Sequence, residues 1–169
     1  MVDPELEARI VTLERAVAAL QQRDVRDTPT APAPVDGDDT FWALTELERR
    51  SPGTVQMTGS VEVPEAGAVR WQVTQHGDTL LQQDWTEVAT TLDALAHPAR
   101  LSILRLVMTG VRTTADLLQQ ETVGTTGQLH HHLRQLVAAG WLTSPRRGHY
   151  EVPAPRVVPL LITVLSATR

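Results

Sequence analysis

Thr126, Gln128, His130, His131 and Arg134 stand within nine residues of one another, and Arg146 and Arg147 come shortly after. These side chains suit hydrogen bonding to a nucleic acid. Gln pairs bidentately with adenine, and Thr touches a base edge or a thymine methyl. Arg grips phosphate or enters a narrow minor groove. The run His130-His131-His132 also raises metal binding. Adjacent helical residues point about 100° apart, so three in a row do not converge on one ion. A helical zinc pair needs i, i+4 spacing. His97, His149, Asp93 and Asp116 offer further donors, but nothing in their spacing demands a site, and no metal or other cofactor is expected.

The element that must carry these side chains is a helix. In TTGQLHHHLRQLVAAGWLT, residues 125–143, Leu129, Leu133, Leu136 and Val137 recur at helical period and predict a buried stripe. Gly140 suits the left-handed residue that closes a helix. Thr125 is placed to cap the start, or to touch a phosphate through the exposed amides there. Gly127 leaves room for close backbone approach. His132 precedes Leu133 and is expected to pack inward. After Gly140, residues 141–145 and 149–152 read as two strands around the basic turn Arg146-Arg147-Gly148, with His149 beside it.

Upstream, Leu92, Leu95 and Ala96 predict the apolar side of one helix. His97-Pro98-Ala99-Arg100 breaks it and starts another, because proline fits a first turn and not an interior. Leu101, Ile103, Leu104, Leu106 and Val107 carry that helix to Gly110. Thr113-Thr114-Ala115-Asp116 opens a third with a Thr cap and an early acid. Val123-Gly124 is the turn that leads into the fourth.

The order LAHPARLSILRLV, TTADLL, TTGQLHHHLRQLVAAGWL resembles the ArsR-type (arsenic-repressor-like) winged helix-turn-helix transcriptional regulators. The resemblance covers about half the chain, roughly residues 85–152. It implies a three-helix core, a recognition helix, a two-stranded wing and a symmetric dimer on double-stranded DNA. Metal-sensing members carry a cysteine pair on the helix before the recognition helix. This chain has no cysteine, so that function is not carried over.

The rest of the chain reads as additions. Leu6, Ile10, Leu13, Val17 and Leu20 are spaced 4, 3, 4, 3, with Leu at d and β-branched residues at a. That seam favours a short parallel coiled coil over residues 1–23; an amphipathic helix packed on the chain's own domain is the alternative. Residues 24–39 are rich in proline, acid and small residues and predict a disordered linker. A helix from residue 40 to 50, with Phe41, Trp42, Leu44 and Leu47 on its apolar side, opens a module over 40–84. In it Val55, Met57, Gly59, Val61 and Val63 alternate, Val69, Trp71 and Val73 alternate again, and together they predict a hairpin. His76-Gly77-Asp78 then turns the chain into Leu80-Leu81. The winged helix-turn-helix occupies 85–153. A last helix over 154–169 is apolar on more than one face, so Leu161, Val164 and Leu165 are expected to dimerise. The expected fold class is therefore mainly α with a small β part.

Charge agrees with this division. The chain carries a net −5. Residues 1–53 hold 11 acidic and 6 basic residues, residues 54–85 hold 4 and 1, and residues 86–169 hold 5 and 8. The net positive segment is the one predicted to meet phosphate. All 15 basic residues are Arg. No apolar run approaches the ~20 residues that span a bilayer, and residues 1–11 lack a secretory pattern, so a cytoplasmic, nucleoid-associated protein is expected. There is no phosphate-cradling glycine loop and no G-x-S-x-G elbow, so no enzymatic activity is expected. The reading is a homodimeric regulator, most simply a repressor, with a tetramer through the N-terminal coil left open. The rival readings are a protein-interaction module, and a ligand- or metal-responsive regulator sensing through the β module or the dimer interface.

Overall fold

The alternation in residues 54–63 has a physical consequence that organises the fold. A computed structural model describes residues 41–64 and 66–168, together with Thr12. Strand β1 (Thr54–Val63) pairs antiparallel with β2 (Gly67–His76), in register from Thr54 opposite His76 to Val63 opposite Gly67. One face turns Met57, Gly59, Val61, Val63, Val69 and Trp71 inward. Val55 and Val73, at the far end, remain exposed. The expected coiled-coil seam Leu6, Ile10, Leu13, Val17 and Leu20 and the linker 24–39 lie outside the described residues.

Helix α1 (Trp42–Arg50) precedes the hairpin and buries none of its residues. The apolar side expected of Phe41, Trp42 and Leu44 therefore faces solvent. After β2 the chain enters α2 (Gly77–Gln82) directly, where a simple turn is expected. A 3-10 turn over Trp85–Val88 comes next, capped by Asp84, whose carboxylate accepts from the Thr86 amide at 2.9 Å. Helix α3 (Ala89–Asp93) is shorter than the pattern of Leu92, Leu95 and Ala96 predicts. His97 must be extended to precede Pro98. The tight bonds from Leu95 N–H to Leu92 O and from Ala96 N–H to Asp93 O close the chain early. Ala94 and Leu95 are thereby buried, while Leu92 and Ala96 stay outside.

Helix α4 (Pro98–Met108) starts on proline and buries Ile103, Leu104, Leu106 and Val107; Leu101 is left partly exposed. Helix α5 (Thr114–Leu118) is capped by Thr113. A 3-10 turn (Glu121–Val123) and Gly124 lead into α6 (Thr126–Ala138). Strands β3 (Thr143–Arg146) and β4 (His149–Glu151) form a second antiparallel pair. Helix α7 (Ala154–Ala167) ends the described chain. The protein is thus a mixed α/β chain of helices with two-stranded hairpins.

Two apolar clusters hold it together. In the larger, Leu117, Leu129, Leu133 and Leu136 meet Ile103, Leu104, Trp141 and Leu160. In the smaller, Val63 and Val69 of the hairpin meet Val157 and Val158 of α7, with Met57, Val61 and Trp71 around them. Met108 and Val152 touch both clusters. Helix α7 is therefore a shared wall, sending Leu160 one way and Val157 and Val158 the other. Residues 43–168 accordingly pack as one unit.

Gly59 marks how closely the hairpin seats. A Cβ built there would lie 2.8 Å from Val158 Cγ1 and 3.1 Å from Cγ2. We expect Gly59→Ala to cost about 1–3 kcal/mol by overpacking, read as a lower urea midpoint. Combining it with Val158→Ala should lose less than the two single changes together. An unchanged midpoint in Gly59→Ala would mean that the hairpin does not seat on α7 in this way.

Candidate nucleic-acid interface

Helix α6 begins on a reciprocal cap. The Gln128 amide donates to Thr125 Oγ1 at 3.4 Å, and the Thr125 amide donates to Gln128 Oε1 at 2.8 Å. Thr-x-x-Gln is the sequence mark of such a capping box. Thr125 therefore caps, as one of its two expected roles required. Gln128, expected to read a base, has its oxygen committed to the cap. Bidentate pairing with adenine uses both ends of the carboxamide; the cap takes one lone pair of Oε1 and leaves the second, with Nε2, for such a contact. Gly124 is required just before: its φ is 77°, and a Cβ there would stand 2.5 Å from Gln128 Oε1.

Along α6 the buried side chains are Leu129, His132, Leu133 and Leu136. Val137, expected in that stripe, is 39% exposed. Spacing 129, 132, 133, 136 centres the buried face one position earlier, and Val137 falls at its edge. His132 packs inward, its ring centroid 4.6 Å from that of His97. Thr126, Gly127, His130, His131 and Arg134 are all exposed. The helix closes with Gly140 at φ 72°.

Arg100 and Trp141 fix this helix in place, a task that their spacing alone does not announce. Arg100 is buried, and its guanidinium donates to Ala94 O at 2.7 Å, Asp93 O at 2.6 Å and Gln135 Oε1 at 2.6 Å. It joins the end of α3, the start of α4 and the middle of α6. Trp141 and Leu142, expected to begin a strand, are core residues instead. Their amides donate to Leu136 O and finish α6, and Trp141 Nε1 donates to Thr91 O at 2.8 Å. The Arg156 guanidinium stands 4.9 Å from the Trp141 ring, a cation–π contact that adds α7 to the same post.

The β3–β4 hairpin is anchored at the start of α5. Thr114 N–H donates to Gly148 O at 2.9 Å, Tyr150 N–H donates to Arg112 O at 2.9 Å, and Thr113 bridges His149. Arg146 and Arg147 are exposed at its tip, and neither forms an ion pair among the described residues. His149, expected beside them at the backbone, is half-buried, and its Nδ1 lacks a partner. Asp116 is occupied, accepting from Thr113 Oγ1 at 2.6 Å. Among the described residues no three His, Asp or Glu side chains gather as a metal site.

His132 has an electrostatic signature. Burial is the first cause that holds its imidazole below the ordinary value of 6.5; His97, His131 and Arg100 lower it further. A depressed histidine contributes stability that is present above pH 6.5 and lost as pH falls through its folded value. We expect the urea midpoint to fall on acidification through that window, and His132→Gln to flatten the fall. An equally steep fall in the variant would place the titrating group elsewhere.

No protein-family model matches the chain, and no curated protein is significantly similar to it. Among the described residues no helix is long and apolar enough to cross a membrane. Helix α7 exposes Leu161, Val164 and Leu165 at 37%, 42% and 69%. Leu81, Trp85, Val88 and Leu92 are exposed as well.

Proposed function

We propose that the chain is a sequence-specific DNA-binding regulator of transcription, of the winged helix-turn-helix type and ArsR-like, acting as a homodimer and most simply as a repressor. The observation that carries this reading is the division of labour on α6. Its inner side chains fill the core, while Thr126, His130, His131 and Arg134 lie exposed on the helix. In this reading α6 enters the major groove. Thr126, His130 and His131 read base edges, Arg134 and the α6 amino end meet phosphate, and β3–β4 is the wing whose Arg146 and Arg147 grip the backbone. Gln128 serves as the cap that presents Thr126.

Dimerisation is supported by the unpartnered apolar side chains of α7, which solitary soluble domains rarely leave together in water. Two copies of α6 would then enter successive grooves ~34 Å apart. A groove of about 650 Å³ opens among Val61, Leu101, Leu104, Leu160, Leu161 and Val164. It favours a second reading, in which the regulator answers an apolar effector beside the dimer face.

Fluorescence anisotropy tests the main reading, using the duplex upstream of the chain's own coding sequence and a scrambled duplex of equal length. We expect selective binding that weakens as salt rises. Equal binding to both would point to an architectural role. No binding at low salt would sink the DNA reading and favour an interaction module.

A further inference from the structure

Beside the outer face of α6 lies a pocket of about 400 Å³, lined by His97, Gly124, Gly127, Gln128, His131 and His132, among others. Helices α4 and α6 both begin at it. His97 is the cap of α4, its Nδ1 accepting from the Ala99 amide at 3.1 Å. Of the first-turn amides of α6, that of Gln128 is held by Thr125, while those of Thr126 and Gly127 have no acceptor within the helix, and a Cβ added at Gly127 would meet nothing within 4 Å. No carboxylate among the described residues lines the pocket. Independently of the two helix starts, His132 lines it as a side chain nine-tenths buried, and its Nδ1 has no hydrogen-bond partner.

We propose that this pocket binds a tetrahedral oxyanion of the phosphoryl class, held between the two helix starts by the imidazoles of His97, His131 and His132. Two partial positive helix ends, three imidazole rings that can donate an N–H and an open glycine are the parts of an anion site. The charged groups facing His132 are His97, His131 and Arg100, and each disfavours its protonation. Arg100 is itself tied to Gln135 and to the Asp93 and Ala94 carbonyls. An anion reverses the balance and favours the imidazolium, so a proton enters with it. Such coupling tightens binding up to about tenfold for each unit that pH falls through the imidazole range. The same chemistry is offered by a DNA backbone phosphate and by a free phosphorylated small molecule. The site itself does not depend on the chain binding DNA.

Side-chain NMR of the histidines in the full chain is the test, with sodium sulfate titrated against sodium chloride at equal ionic strength. Sulfate does not titrate near neutrality, so any pH dependence belongs to the protein. We expect saturable shifts at His97, His131 and His132, stronger at about pH 6 than at about pH 8. His131→Ala should weaken binding about tenfold, and His132→Gln should remove most of the pH dependence. His97→Asn keeps the cap and removes one ring, so it serves where His132→Gln does not fold. Equal, non-saturating shifts in both salts would overturn the proposal, as would saturable zinc binding at these rings with none for sulfate. In a second arm a short duplex is added. Displacement of the duplex by sulfate, lost in His131→Ala, supports the site with DNA phosphate as its occupant. Sulfate binding that leaves the duplex in place supports it with a free anion.

Discussion

Arg146→Ala with Arg147→Ala should lower affinity for a duplex about tenfold or more and leave the fold untouched. The two guanidiniums stand at the tip of the β3–β4 turn, exposed and without an ion pair among the described residues. Their removal therefore costs no packing. Each phosphate neutralised by Arg releases condensed counterions, so each lost contact reduces the salt slope by about 1. The double variant should show a slope smaller by about 2 and the same urea midpoint as the parent. Sequence preference should persist, because phosphate contacts position a protein and base contacts specify the site. An unchanged slope would mean that the hairpin stands away from the duplex. A lost preference with an unchanged slope would make these residues base readers.

The hydrophobic period was enough to locate β1, β2, α4 and α6, since each buries one face and nothing else competes for it. Their ends were set by local chemistry that the period does not carry. Gln128 illustrates this: its type suits a base edge, and the Thr-x-x-Gln spacing also makes it half of the box that starts α6. Val137 and Trp141 failed for a geometric reason. One residue of rotation about a helix moves a side chain from core to rim, and Gly140 re-aims the chain beyond α6. Arg100 was illegible because a buried guanidinium depends on carbonyls left free by the early stop of α3. The seating of β1–β2 on α7 was illegible for a related reason: Val158 and Gly59 are 99 residues apart, and no pattern in either segment names the other.

Arg100→Ala is expected to be the most damaging single change to the fold, at about 3–5 kcal/mol. Arg100 is 7% exposed, so its charge lies where desolvation is costly. It is tolerated because three acceptors from two segments, the end of α3 and the middle of α6, surround it. Truncation removes the charge but leaves the Ala94 and Asp93 carbonyls and the Gln135 carboxamide to find new partners, each at about 1–3 kcal/mol where water cannot reach. Arg100→Met fills the volume without supplying donors, so it should recover only part of the loss. Lys offers a point charge on a flexible stem and cannot reproduce the planar fork, so Arg100→Lys should also fall short. The urea midpoints of the three variants test the order. Position extends the effect to function: Arg100 ties α6 to α4 through Gln135, and its loss should loosen the face that carries Thr126, His130 and His131. Hydrogen exchange in α6 should therefore accelerate in Arg100→Ala more than in β1 and β2. A uniform acceleration would show that Arg100 supports the whole unit rather than the seating of this helix.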